Sequence, residues 1–247
     1  DICNLRCRHC YIGPGHAQEI GVERVRNVLL EFDEMQGLRL LVTGGEPLMH
    51  SRFGTINEML PDYSFRKVLL TNGLLLTSQI IRQLNFDEVQ VSIDGIGRSH
   101  EMVRGEGSFR AAMDAVNLCI ESGIDLSVST MIHRGNLADF DEMEQLFRGL
   151  GVKDWTVDVP CAAGRLRANR ELQLEPEEGG GYLRYGFGDG LHAGAPGFAC
   201  GLHLLSVSAS GKASKCSFYV EDAVGVVEEG LRECWGRIVP LRLEELG

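Results

Sequence analysis

Cys3, Cys7 and Cys10 stand within eight residues, separated by three residues and then by two. One short loop can therefore aim three sulfurs at a single point, and thiolate sulfur is a natural ligand for zinc and for iron–sulfur clusters. A structural zinc site or an iron–sulfur cubane ordinarily takes four protein ligands. The local supply stops at three, which leaves one metal corner open to a small molecule, the feature that separates a catalytic metal site from a closed structural one. Whatever fold the chain adopts must present this loop beside a binding space.

The 247 residues suffice for one α/β barrel, or for a barrel with a small appendage. A net charge of -11 and a pI near 5.1 argue against a general grip on nucleic acid, since phosphate binding needs a basic face. No apolar run approaches the roughly 20 residues of a membrane-spanning helix, so no membrane partner is expected. The eight cysteines fall in ligand-like groups rather than at even spacing. That pattern fits a reducing compartment and a cytoplasmic location. The sequence opens at Asp1 directly on the ligand loop, so the strand that would deliver the loop is expected to lie outside it, in a longer protein.

Downstream of the loop, strand and helix patterns alternate. Val22, Val25, Val28, Leu29 and Phe32 recur at helical spacing up to Gly37. Leu38 to Thr43 is a short apolar run closed by Gly44-Gly45-Glu46-Pro47, a buried strand ending in a turn whose glycines let a ligand approach the backbone. A helix near 53–60 leads to Lys67 to Thr71 and Asn72-Gly73, and a helix near 77–84 leads to a strand from Glu88. In that strand Val89, Val91 and Ile93 share one face, while Gln90, Ser92 and Asp94 share the other. Barrel interiors are normally filled by branched apolar side chains, so a polar inner face implies a liganded lumen.

Ser108 is a candidate helix cap, and Cys119 sits on an apolar helical face as a small core residue. A fifth strand spans Asp125 to Ile132, a helix follows over 137–150, and a sixth strand from Trp155 ends at Cys161. Carboxyl ends of barrel strands are where this architecture carries chemistry, which makes Cys161 a candidate for substrate or metal. Arg165, Arg167 and Arg170 could grip an acidic substrate or simply line a solvated loop. The fold class is α/β, an incomplete (β/α)6 TIM-like barrel with its first strand truncated. Nine glycines between 179 and 201 read as a junction, and beyond it a hairpin would bring Cys200 and Cys216 together.

Cys-x3-Cys-x2-Cys followed by Gly-Gly-Glu-Pro at the next strand end resembles the radical S-adenosylmethionine (SAM) superfamily, in order and in spacing. The resemblance implies that Cys3, Cys7 and Cys10 hold three irons of a [4Fe-4S] cluster whose fourth iron chelates SAM. Gly44, Gly45 and Glu46 would then seat the methionyl group, Ser92 and Asp94 would lie near the ribose or methionyl part, and Tyr11 near the adenine. Arg104, within Arg-Gly-x-Gly-x-Phe, would meet the SAM carboxylate. Cys200-Gly201 and Cys216, with Val224-Gly225 and Leu231 to Trp235, resemble the opening of a SPASM or Twitch extension. There Cys200 and Cys216 would ligate an auxiliary iron–sulfur cluster, the set being completed by Cys161 or by residues beyond Gly247.

The implied domains are a partial barrel over 1–175, a Gly-rich junction over 176–199 and the start of the extension over 200–247, carrying a small hairpin and a helix. The implied activity is reductive cleavage of SAM to a 5′-deoxyadenosyl radical for hydrogen abstraction, fed by a donor such as flavodoxin or ferredoxin. Peptide or protein maturation is the leading reading, with modification of a haem-pathway tetrapyrrole as the alternative small-molecule substrate. A non-catalytic zinc module is the competing class. It would need a fourth cysteine or histidine at the first site and no Gly-Gly-Glu-Pro at a strand end.

Overall fold

The structure, a computed structural model, describes residues 1–12, 17–159, 162–188, 203–219 and 222–246. Five strands form a parallel sheet in the order β1 (Arg39–Val42), β2 (Arg66–Thr71), β3 (Glu88–Ser92), β4 (Asp125–Met131) and β5 (Asp154–Asp158). Helices connect them: α1 (Val22–Glu34) precedes β1, α2 (Phe53–Met59) leads into β2, and α3 (Ser78–Ile81) into β3. After β3 come α4 (Arg98–Arg104) and α5 (Ser108–Ser122), and α6 (Phe140–Gly149) leads into β5. This is the curled half-barrel of parallel strands and covering helices expected from the alternating pattern.

One face of the sheet supplies the core. Val89, Val91, Ile93, Val128 and Trp155 are buried against Ala112, Ala115, Val116 and Cys119 of α5 and Phe140, Met143 and Phe147 of α6. Burying branched side chains at about 25 cal/mol per Å² of apolar surface is what holds the helices on the sheet. Cys119 is fully buried in this layer, as its apolar neighbours indicate.

Three local differences from the sequence expectation have physical causes. The helix near 77–84 stops at Ile81, because Asn57 accepts from the Asn85 N–H at 2.8 Å and donates to the Gln83 carbonyl at 2.8 Å, pulling that backbone out of a helix. Ser108 is the first residue inside α5 rather than its cap, and its hydroxyl donates to the Gly105 carbonyl at 2.5 Å. The extension is not a lone hairpin. Short strands β6 (Ser206–Val207), β7 (Lys212–Ser214) and β8 (Gly225–Val226) make a three-stranded antiparallel sheet.

Part of the stretch read as a junction is packed on the barrel. Helix α7 (Pro176–Gly180) is followed by Tyr185 in the core and by Phe187, which bridges Trp155 through paired backbone hydrogen bonds of 2.8 and 3.1 Å. Helix α8 (Leu231–Leu246) then lies against α1, where Glu31 accepts from the Leu231 N–H at 2.6 Å. Cys161 and Cys200 lie outside the described residues. Among the described residues no helix is long and apolar enough to cross a membrane.

The two ends of the sheet carry different chemistry. At the amino end, register sets Arg39 beside Arg66 and Glu88 beside Asp125. Glu88, 2 % exposed, accepts from Arg39 at 2.8 Å, Arg66 at 3.0 Å and Ser127 at 2.5 Å, and Arg66 continues to Asp125 at 2.7 Å. This ladder ties four strands together at the face where barrels keep stabilising rather than catalytic residues. Replacing Glu88 by alanine leaves two arginines facing a buried gap. It should lower unfolding free energy by about 3 kcal/mol, read from the urea midpoint, because breaking one side of a buried ion pair strands the other.

Candidate active site

The cluster loop, residues 3–11, runs along the carboxyl ends of the strands. Its start is fixed by the Gly-Gly-Glu-Pro turn: the Glu46 N–H donates to the Ile2 carbonyl at 2.7 Å, and a Cβ at Gly45 would collide with that carbonyl. Gly44 has φ +150°, a conformation that favours glycine, and nothing lies within 4 Å of where its Cβ would point. The turn is thus packed on one side and open on the other. The Glu46 carboxylate is turned inward, where it accepts from Thr71 Oγ1 at 2.8 Å, Asn72 N at 2.9 Å and Leu48 N at 3.2 Å. Burial pushes its pKa up against the pull of those hydrogen bonds. Asn72 completes the circuit by donating to Asn4 at 2.8 Å, beside Cys3.

The middle of the loop is held by charge. Asp94, fully buried just past β3, receives His9 Nε2 at 2.9 Å, Arg104 Nε at 2.5 Å and the Met131 N–H at 2.8 Å. Burial by itself would raise its pKa. The Arg104 guanidinium, and then His9, nevertheless hold the carboxyl well below the usual carboxylate range. Arg104 therefore faces Asp94 and Cys7 from the end of α4, and its own pKa is raised by that carboxylate against burial. The Asp94 carbonyl accepts from Asn136 at 2.8 Å and lies 3.2 Å from His133 Nε2, while its N–H donates to His100 Nδ1 at 3.1 Å. Ser92, at the end of β3, is half-buried.

The far side of the loop is clamped by residues after β5. Gly164, φ +51°, approaches the Cys10 and Tyr11 carbonyls so closely that a Cβ would collide with both. The Arg165 N–H donates to the Cys10 carbonyl at 2.9 Å, Asn169 donates to the Arg8 carbonyl at 3.0 Å, and Arg8 pairs with Asn169 and Glu171. Arg165 thus grips the loop backbone, and Arg167 donates to the Ala162 carbonyl at 3.0 Å. Tyr11 turns its ring onto Phe218, centroids 4.4 Å apart.

Cys7 is buried and Cys3 and Cys10 are half-buried. Burial pushes the Cys7 thiol up to about 11, opposed by Arg104, and burial likewise raises Cys3. Each of these two thiols also feels the charge of Cys10, so the three share one electrostatic site. Yet among the described residues no three Cys, His, Asp or Glu side chains converge tightly enough for a single metal ion. A tetrahedral zinc with Zn–S of about 2.3 Å would need its sulfurs roughly 4 Å apart. Three thiolates on one loop match the protein share of a cubane with one open corner.

Sequence reasoning missed His9, His100, His133, Asn136, Gly164 and Asn169. His9, His133, Asn136 and Asn169 lie outside helices and strands and carry no periodic signal, His100 is a buried polar residue on the short α4, and partners lie as far as 161 residues away.

A half-barrel with a cysteine loop and a glycine turn at the carboxyl ends of its strands defines a SAM-dependent iron–sulfur class of enzyme. The Radical SAM superfamily matches residues 1–147, more than half of the sequence, and the chain belongs to that superfamily, whose members use a [4Fe-4S] cluster and SAM. Membership removes the zinc-module alternative. Among curated relatives, the chain is 27% identical over 172 residues to an AdoMet-dependent heme synthase of Oleidesulfovibrio alaskensis, covering 66% of this chain and 44% of that protein. It is 28% identical over 151 residues to mycofactocin maturase MftC of Mycolicibacterium smegmatis, covering 58% and 38%. The matches thus span under half the length of these two relatives. In fold it resembles Streptococcus suis SuiB bound to S-adenosylmethionine, TM-score 0.73 at 11% identity over 94% of this chain and 63% of that one. It also resembles anSMEcpe with bound AdoMet and a peptide, TM-score 0.67 at 16% identity over 94% and 76%.

The donor set suits these cofactors: three sulfurs share one site, and Gly44 leaves open backbone beside them. Gly164→Ala should push the loop off its seat and reduce iron uptake on anaerobic reconstitution severalfold, while Gly54→Ala, at an open position on α2, leaves uptake unchanged. Acid should act through the buried histidines. Burial, aided by Arg104, lowers His100 to about 4, and burial also lowers His133. The unfolded chain takes up these protons below about pH 6.5 while the folded chain resists. Stability of the metal-free chain should therefore fall as pH drops from about 6.5 toward 4, and His100→Asn should flatten that slope in thermal denaturation.

Proposed function

We propose that this chain forms the SAM-cleaving part of a radical SAM enzyme that matures a peptide or protein substrate. The carrying observation is that Cys3, Cys7 and Cys10 share one electrostatic site at the carboxyl ends of the strands, on a loop whose start the Gly-Gly-Glu-Pro turn seats. Cys3, Cys7 and Cys10 would hold the cluster. When bound, cluster and SAM supply an electron-driven cleavage that yields a 5′-deoxyadenosyl radical for hydrogen abstraction.

The chain's own residues do the positioning. Gly44 and Gly45 offer backbone to the methionyl group, and Glu46, committed to Thr71 and Asn72, fixes the turn that presents it. Ser92 stands at the strand end, where it can reach the ribose or methionyl part. Asp94 and Arg104 act through His9 and the loop, with Asp94 too enclosed to meet a ligand before the loop moves. Arg104 also sets a positive charge beside the Cys7 thiol, which favours the ligating thiolate. Tyr11 borders the adenine side of the loop.

Relation to mycofactocin maturase MftC and the shared fold with SuiB support the peptide reading. Relation to the AdoMet-dependent heme synthase favours a tetrapyrrole as the second reading. The two separate in one experiment: full-length, anaerobically reconstituted and reduced enzyme releases 5′-deoxyadenosine faster with its cognate precursor peptide, or with an iron-coproporphyrin. Stoichiometric zinc without iron, or no deoxyadenosine under any condition, overturns both.

Cys216, buried in the extension, is read with Cys200 as a ligand of an auxiliary cluster whose set Cys161 or residues beyond Gly247 complete. A variant with Cys3, Cys7 and Cys10 all changed to alanine should then retain about four irons in the full-length protein, since one cubane takes about four thiolates. Folded protein without iron would reduce the extension to a structural flap.

A further inference from the structure

Tyr11 directly follows the third cysteine of the loop, and it is held from two sides. Its carbonyl lies under Gly164, so closely that no side chain fits between. Its ring packs on Phe218 at 4.4 Å, and its hydroxyl shares a hydrogen bond with Ser217. Ser217 and Phe218 belong to the short turn Ser217–Tyr219 that follows β7, more than 200 residues along the chain. The residue as a whole is half-buried; burial of the phenol pushes its pKa up, and Cys216 lies near enough to add to that shift.

The extension has anchors of its own. Arg24 of α1 donates to Glu228 at 2.6 Å, and Glu31 accepts from the Leu231 N–H at 2.6 Å. The extension can therefore stay on the barrel whether or not Tyr11 is seated. The Tyr11 contact is an additional link, and it ends one peptide bond from Cys10. A tyrosine has two side-chain torsions. With ring, hydroxyl and carbonyl all fixed, the backbone leaving Cys10 has little freedom.

We propose that Tyr11 is a positioning residue through which the C-terminal extension sets the conformation of the cluster loop at Cys10. The seating of the 217–219 turn then governs where the third sulfur points. This rests on the reading of Cys10 as a cluster ligand. It gives the extension influence over the cluster even if it binds none of its own.

The test uses the full-length, anaerobically reconstituted protein, with Phe218→Ala, Ser217→Ala and the conservative Phe218→Tyr far from the loop in sequence, and Tyr11→Phe within it. Hydrogen exchange read by mass spectrometry should quicken about tenfold in residues 3–11 with Phe218→Ala, the scale on which losing an aromatic pair shifts a local opening. The reduced cluster's electron paramagnetic resonance line shape should change with it, at unchanged iron content. Phe218→Tyr should restore both. Tyr11→Phe and Ser217→Ala should give equal, smaller effects, and the double variant no more than either alone, since both remove one hydrogen bond. Faster exchange confined to 203–230, with loop exchange and line shape unchanged, overturns the proposal alone. Wild-type protein that takes up no iron overturns the cluster reading, and the proposal with it.

Discussion

A carboxylate with no access to water organises the site. Asp94 is paired with Arg104 and His9 and accepts the Met131 N–H, so one side chain joins the cluster loop, the end of α4 and β4. An ionised carboxylate in such surroundings persists only because opposite charge and hydrogen bonds replace its hydration. Removing any one partner leaves the others buried and uncompensated. That interdependence seats the loop through side chains of the protein itself. It also explains why three histidines crowd the same point, since each supplies or receives a hydrogen bond at Asp94 or its backbone.

The half-barrel divides its polar residues by strand end. At the amino ends, Glu88 is shared among Arg39, Arg66 and Ser127, and its role there is cohesion. At the carboxyl ends, polar groups tie loops to strands, and one of those loops carries the thiols. Parallel strands produce this division, because every connection returns across the helical layer and delivers its loop to one face.

The sequence makes the architecture legible wherever periodicity and turn chemistry act locally. The alternation in 88–94, the apolar run before Gly44 and the helical spacing in 22–32 all correspond to elements of the fold. Local rules fail where a distant side chain takes over backbone groups, as Asn57 does at 83–85, shortening α3. The cysteine triplet and glycine turn were readable because their chemistry is compressed into adjacent residues. Arg165 was legible as a loop residue but not as a grip on the Cys10 carbonyl, because nothing near it in sequence marks that partner. The same holds for the polar face of β3. Its alternation announced a non-apolar lumen, while the identity of the groups meeting Asp94 depends on four separate segments.

The closeness of Gly164 to the Cys10 carbonyl bears on the order in which the protein can be made. The three thiols emerge before the backbone that shapes their loop, which is encoded some 150 residues later and arrives at 5–20 residues per second. Until that stretch has joined β5 to the sheet, the loop lacks its outer wall. A nascent chain therefore displays three unconfined thiols for several seconds, open to adventitious metal and to oxidation. Faithful loading of the loop in this sense waits on residues that lie some 150 positions beyond the thiols.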